Sequence, residues 1–311
     1  MIRQLKVDFC YAWYSKLFIG MLSFFILTTL LTFFMSDQNV RYEYNSYIHQ
    51  LEYYQQTGAD IEEALNTEYE IIEDNGNSGT IKNPLSFHYE ELSASLYSIT
   101  SDYAFSQLCE GGLVFFPILA SFFGLIWATA DIKHKTLRYR VMRLGKYANL
   151  WSRQINGFII LLSFFILTIP FAFVIQSSFR NQFLTEIDID VSTYIYASKI
   201  AVNYAKQLLF VIAILLFYYE FGYTFGNLLK GNPVSIIVLC IYLLFIPPFF
   251  SYDIANIFNN FANTIFEFVG SFSLTTVLDV PLISGALVLF GIFFAMLLCN
   301  IMITKKRSSY I

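Results

Sequence analysis

The sequence predicts an all-α polytopic membrane protein with six transmembrane helices, and three observations carry that expectation. Of 311 residues, 56% are hydrophobic and 19% aromatic, while only 14% are charged, a balance too apolar for an ordinary water-soluble domain. Six apolar stretches, 17–35, 111–130, 155–175, 208–226, 233–248 and 282–304, punctuate the chain. All but the fifth approach the roughly 20 helical residues that cross a hydrocarbon core of about 30 Å. The connecting segments then alternate in charge. Fourteen of the 19 basic residues fall in 1–16, 131–154, 227–232 and the tail 305–311, whereas 36–110 alone holds fourteen acids. Because Lys and Arg are retained on the cytoplasmic side, both termini are expected there.

Segment 1–16 spaces Ile2, Leu5, Phe9 and Trp13 three and four apart, with Arg3, Lys6 and Lys16 beside them. This reads as an interfacial amphipathic helix, a disordered basic leader being the alternative. The first span, 17–35, is longer than a signal-peptide core and lacks a small-residue cleavage site, so it reads as a retained anchor. Residues 36–110 are too polar for the bilayer and too long for a turn. They read as an extracytoplasmic helical segment: Val40, Tyr44, Tyr47, Ile48 and Leu51 recur at helical spacing, Asp60 caps a second helix through Glu70, and Pro84-Leu85-Ser86 opens a third. Asn75-Gly76-Asn77-Ser78-Gly79 is a turn or tip.

Segment 131–154 is the most basic connection, with Leu137, Val141, Met142, Leu144 and Leu150 among its charges. It is built to touch a surface, whether bilayer phosphates or a protein. The outer loop 177–206 carries little pattern. After the short fifth span, 249–281 stays aromatic and apolar with only Asp253, Glu267 and Asp279. It is expected to re-enter the outer leaflet as one or two short helices shielded by neighbouring spans.

Catalytic motifs are missing. The chain has no phosphate-binding Gly-x-x-x-x-Gly-Lys-Ser/Thr loop, no His-Glu-x-x-His, and only three histidines, His49, His88 and His134, none in an apolar span near a nucleophile. The four cysteines form no metal or disulfide framework. No cofactor of the chain's own, no metal, no nucleic-acid partner and no enzymatic activity are expected. Glu220 is the one ionisable residue read as lying inside a span; it serves either as a structural partner or in transport coupling. Ala120, Gly124 and Ala128, and likewise Gly222 and Gly226, recur every four residues, giving faces for close helix packing within the subunit or against a second chain.

The order of a basic leader, outer segment, basic connection after the second span, short fifth span, semi-apolar excursion and basic tail resembles the permease subunits of type-2 (ABC-2) exporters of the ABC transporter class. Locally, Asp131-Ile132-Lys133-His134-Lys135-Thr136-Leu137-Arg138 is similar to that family's approach to its cytoplasmic coupling helix, with Arg143 and the stretch 145–154 leading into the third span. Lys135 stands where the family often has Gly, and a Pro common after the helix is absent. The resemblance implies a multi-pass protein of a bacterial cell membrane that moves an amphipathic substrate, such as an antimicrobial or other peptide, outward. ATP and Mg would be bound by a separate ATP-binding subunit docked on Asp131, Thr136, Leu137, Arg138, Arg140, Val141, Arg143 and Leu144. Leu137, Val141 and Leu144 would fill its groove, and a second permease chain would complete a homo- or heterodimer. The alternative reading is a non-transporting sensor or immunity protein binding a ligand through its acidic outer segment; an intramembrane enzyme is a third, without catalytic candidates.

Overall fold

The computed structural model describes residues 2–73, 79–134, 136–186, 202–230, 233–245, 250–269, 274 and 278–306. Helix α1 (Ile2–Tyr14) is followed by Lys16, whose left-handed backbone (φ 60°) turns the chain sharply into α2 (Leu17–Thr57). The apolar run of α2 stops near Met35, but its helix does not. Asp37 accepts a 2.8 Å hydrogen bond from Arg41 one turn on, and Val40, Tyr44, Tyr47 and Ile48 supply a new apolar stripe, so nothing breaks the ladder until the left-handed Gly58.

The helix expected from Asp60 through Glu70 is shorter. Asp60 caps α3 (Ile61–Asn66), and then β1 (Glu70–Glu73) pairs antiparallel with β2 (Gly79–Lys82), opposing Ile71 to Ile81 and Ile72 to Thr80. β-branched residues facing across a ladder favour that pairing over one more helical turn. Most of the expected 75–79 tip lies outside the described residues. Asn83 then works in two directions: its Oδ1 accepts from Ser86 N at the start of α4 (Pro84–Ser98), while its Nδ2 donates to Ala64 O and Thr67 O, 2.6 and 2.7 Å away.

After a short 3-10 turn come α5 (Ala104–Lys133), α6 (Leu137–Leu144), α7 (Lys146–Glu186), α8 (Tyr204–Leu228), α9 (Pro233–Phe245), α10 (Ile254–Ile265) and α11 (Leu282–Lys306). Five of these helices, α2, α5, α7, α8 and α11, are long and apolar enough to cross a membrane. The chain is a helical multi-pass membrane protein. Its bundle core is aromatic: Phe25, Phe116, Phe123, Trp127, Phe164 and Tyr219 are buried together, with Phe123 stacked on Trp127 and edge-on to Phe164. Leu27, Leu31, Ile166, Phe173, Leu287, Phe290 and Phe294 face outward, an apolar exterior suited to lipid.

α9 has 13 residues, about 20 Å of helix, too short to span a bilayer alone; the last residues of the expected fifth span, 246–248, lie outside the described residues. Of the expected re-entrant segment, α10 is described. Asp253 caps it, Phe258 packs on Phe217 and Tyr218 of α8, and Asn256 donates to Ser251 O and Leu278 O at 2.8 Å. The irregular chain on either side of α10 thus finds its hydrogen bonds in asparagine side chains. In the outer loop, α7 continues the third span to Glu186, and 187–201 lie outside the described residues, as do 307–311 of the tail.

α2 and α7 both project beyond the bundle, where Val40, Tyr47 and Phe183 join Leu85, Leu92 and Leu96 of α4 in a second, smaller core. Arg41 pairs with Glu186 across the two long helices. This cap sits at one end of the bundle; α1 and α6 sit at the other, here termed the basic end.

Candidate functional site

Asp8 is the centre of the basic end. It is fully buried, on the face of α1 turned toward the bundle, and three side chains from two other helices converge on it. Arg140 Nη1 of α6 reaches Asp8 Oδ1 at 2.8 Å, Arg153 Nη1 of α7 donates to the same oxygen at 3.1 Å, and Asn156 Nδ2 donates to Oδ2 at 2.6 Å. Asp131, at the end of α5, completes the charge balance. It lies 3.5 Å from Arg140 and 3.6 Å from Arg153, and Thr136 Oγ1 donates to it at 3.0 Å. Two carboxylates and two guanidiniums therefore neutralise one another where an isolated charge would be costly.

Trp127 holds Arg153 in place. The guanidinium lies 3.7 Å from the ring centroid; Arg153 Nη2 donates to Trp127 O at 3.1 Å, and Trp127 Nε1 returns a bond to Arg153 O at 2.9 Å. A planar guanidinium suits this combined stacking and forked hydrogen bonding, which a lysine ammonium does not reproduce.

The next residue on α7 turns to a second polar cluster. Gln154 Nε2 donates to Glu220 Oε1 at 2.8 Å, and Asn300 Nδ2 of α11 donates to the same oxygen at 2.7 Å. Asn300 Nδ2 also reaches Thr224 Oγ1 at 2.8 Å, and Asn300 Oδ1 accepts from Asn227 at 2.9 Å. Glu220 is only 3% exposed. Adjacent residues Arg153 and Gln154 thus tie the basic end to three packed spans, α7, α8 and α11.

α6 has two faces. Val141 is buried and Leu137, Arg140 and Leu144 are half-buried, whereas Thr136, Arg138, Tyr139, Met142 and Arg143 are exposed, Tyr139 at 72% and Met142 at 64%. Within the chain Val141 is already buried, Leu137 and Leu144 remain half-exposed, and Arg140 is engaged with Asp8 and Asp131.

The small residues meet across one helix pair. Gly222 on α8 lies so close to α5 that an added Cβ would sit 1.9 Å from Ser121 O, and one on Gly124 would sit 2.2 Å from Tyr219 O. Gly226 faces Leu125 and Ala128, and Ala120 is buried in the same core. Backbone approach at this distance admits only glycine.

No family model, curated protein or solved structure matches the chain.

Two groups escaped sequence reasoning. Asp8 counted only as a stray acid in a basic leader; the face of α1 that turns inward carries Asp8 and Ala12, while Phe9 and Trp13 of the expected apolar stripe stay exposed. Glu110 counted as part of the polar outer segment, yet α5 begins at Ala104 and buries it to 3% exposure, with Tyr103 donating to its Oε1.

Proposed function

We propose that this chain is the membrane-spanning permease subunit of an ATP-driven exporter, with the exposed face of α6 as its docking point for a separate ATP-binding subunit. The observation that carries this reading is the arrangement around Asp8: a short, exposed, basic helix is fastened by Arg140, through Asp8, to Arg153 and thereby to the spans. A helix that served only to meet phospholipid headgroups needs no such buried linkage. Docking would use Arg138, Tyr139, Met142 and Arg143, and a displacement of α6 would pass through Arg140 and Arg153 to Gln154 and Glu220.

The basic end is cytoplasmic in this reading, by the excess of Lys and Arg there. Six passes belong to it as well. α8 starts at the cap side, where Gln207 accepts from Ser106, and ends beyond Glu220 and Asn227 at the basic side; α11 starts beside α10 and ends at the basic side past Asn300. The chain between them must return, and α9 leads that return. A second permease chain completes the pathway, and the substrate is an amphipathic molecule, a peptide by preference.

The test is affinity purification from the native host in mild detergent, repeated with Met142→Asp and Arg143→Glu together. Copurification of a Walker-motif ATPase with the wild type and its loss from the folded variant is the expected result. A clean preparation without an ATPase, from cells in which the complex is expressed, overturns the reading in favour of a sensor or immunity protein.

A further inference from the structure

A cavity of about 230 Å³ lies between the spans α5 and α8, the last turn of α9, and α10. Two of its residues stand four positions before a proline. Leu113 precedes Pro117 within α5, and Leu243, in the last turn of α9, precedes Pro247. A proline has no N–H, so neither Leu113 O nor Leu243 O receives the bond from residue i+4 that closes an ordinary helical turn. Two helices thus each bring a backbone carbonyl released from its own ladder to one cavity.

Side-chain oxygens join them. Tyr218 of α8 is 4% exposed and Tyr242 of α9 is half-buried, and neither hydroxyl has a hydrogen-bond partner among the described residues. Both tyrosines lie within electrostatic reach of Asp253. Asp253 Oδ1 caps α10 by accepting from Ala255 N at 3.0 Å, while its Oδ2 has no partner among the described residues. That carboxylate is the one charge on the described wall: no Lys or Arg lines the cavity, and among the described residues Asp253 is in no ion pair. Asn259, the other polar side chain there, has a partner of its own. The two phenol hydrogens do not conflict with a positive ligand, because a phenol oxygen keeps a lone pair for the ligand while its hydrogen turns to a carboxylate.

We propose that this cavity holds a monovalent alkali cation, sodium or potassium, ligated by the Asp253 carboxylate, the hydroxyl oxygens of Tyr218 and Tyr242 and the carbonyls of Leu113 and Leu243, with water completing its shell. Hard cations take oxygen ligands, and calcium and magnesium sites draw on more carboxylate or on phosphate; a single carboxylate balances a single charge. Carbonyls released where a membrane helix breaks are a general means of holding such ions. A water occupies about 30 Å³ of liquid, so the cavity has room for the ion and several waters. The site lies apart from α6 and is independent of the transport reading, and its measurement involves no ATPase.

The full chain in detergent is exchanged into choline chloride and titrated with sodium chloride or potassium chloride at constant ionic strength while its thermal unfolding is followed, with radiosodium or rubidium-86 binding as the direct measure. A saturating rise of the midpoint with at least one alkali cation is expected, as for any ligand that binds the folded state alone. Asp253→Asn keeps a capping oxygen for α10 and removes the charge; it is expected to weaken binding by roughly ten- to a hundredfold, the worth of a charge-assisted contact. Tyr218→Phe keeps the ring and loses the oxygen, is expected to weaken binding several-fold, and provides the readout should Asp253→Asn not fold. Pro117→Ala returns an N–H to Leu113 O and is expected to weaken binding without lowering the midpoint in choline chloride, a combination that a purely structural role does not produce. Equal midpoints in the three salts, or unchanged affinity in the folded variants, leave the cavity to water alone and overturn the assignment.

Discussion

Arg140 of α6 and Asp8 of α1 meet at 2.8 Å in a pocket from which water is excluded around the carboxylate. The pair joins the first helix of the chain to the short helix between the second and third spans. Removing one partner of a buried pair strands the other charge, at about 3–5 kcal/mol. Asp8→Ala is therefore expected to lower stability by an amount in that range and to loosen α6, read by thermal unfolding and by faster hydrogen exchange in 137–144. Asp8→Asn retains the shape and is expected to fall between wild type and Ala. Unchanged exchange in α6 would show that Asp8 does not hold it.

Arg138 and Arg143 on the opposite face make the contrasting prediction. Both are exposed, and surface changes remote from special contacts usually alter stability by less than about 0.5 kcal/mol. Arg138→Glu with Arg143→Glu is expected to leave the melting temperature unchanged while abolishing ATPase copurification. If the double variant instead unfolds, the outward face of α6 is structural.

Gly222→Ala is expected to destabilise the α5–α8 pair by about 1–3 kcal/mol, the usual cost of overpacking, because the new methyl would overlap the Ser121 carbonyl. Gly20→Ala and Gly291→Ala, with nothing within 4 Å of the added carbon, are expected to be neutral or slightly stabilising. Unfolding midpoints of the three variants in one detergent make the comparison.

Asn300 serves three partners, Glu220, Thr224 and Asn227. Asn300→Ala leaves the buried Glu220 with Gln154 alone on that oxygen, and a loss of about 1–3 kcal/mol is expected. A double-mutant cycle with Glu220→Gln should return a non-zero coupling energy; strict additivity would mean that the two side chains do not share a network.

The cap carries its own pH signature. Burial pushes the His88 imidazole below its usual 6.5, so the folded cap binds fewer protons than the unfolded chain once pH falls through that value. Its contribution to stability is complete above about pH 6.5 and is lost progressively on acidification. Glu91, and Glu43 3.9 Å from His88, are pushed above 4.5 by burial first and by a neighbouring glutamate second. They act in the opposite sense, costing stability as pH rises from 4.5 through their raised values. His88→Gln should therefore remove the acid-side loss below pH 6.5, and Glu91→Gln should flatten the opposing slope. Cap unfolding followed from pH 4.5 to 7.5 would contradict both assignments if neither variant changed the profile.

What the sequence made readable depended on the range of the forces involved. Hydropathy is a local sum, so five crossing helices could be placed from stretches such as 282–304. Helix continuation past Met35 is also local, yet a polar Ser36-Asp37-Gln38 ends an apolar run without ending a helix, and hydropathy registers only the first. Pairing of Asp8 with Arg153 spans 145 residues and leaves no periodic trace on either segment. The inward turn of Arg140 is likewise invisible in a run of basic residues; only the position of α1 distinguishes it from Arg138 and Arg143.

α2 and α7 have 41 residues each, and at 1.5 Å per residue each is a rod of about 60 Å. Pro170 lies inside α7, but no loop interrupts either rod between the basic end and the cap. Swinging such a rod through about 5° about one end carries the other through about 5 Å, by the geometry of its length. Arg153 sits near one end of α7 and Phe183 near the other, in the core of the cap. The cap is thus the far arm of a lever, and its tilt is a gauge, readable from outside the bilayer, of whatever is done to the two arginines at the opposite end.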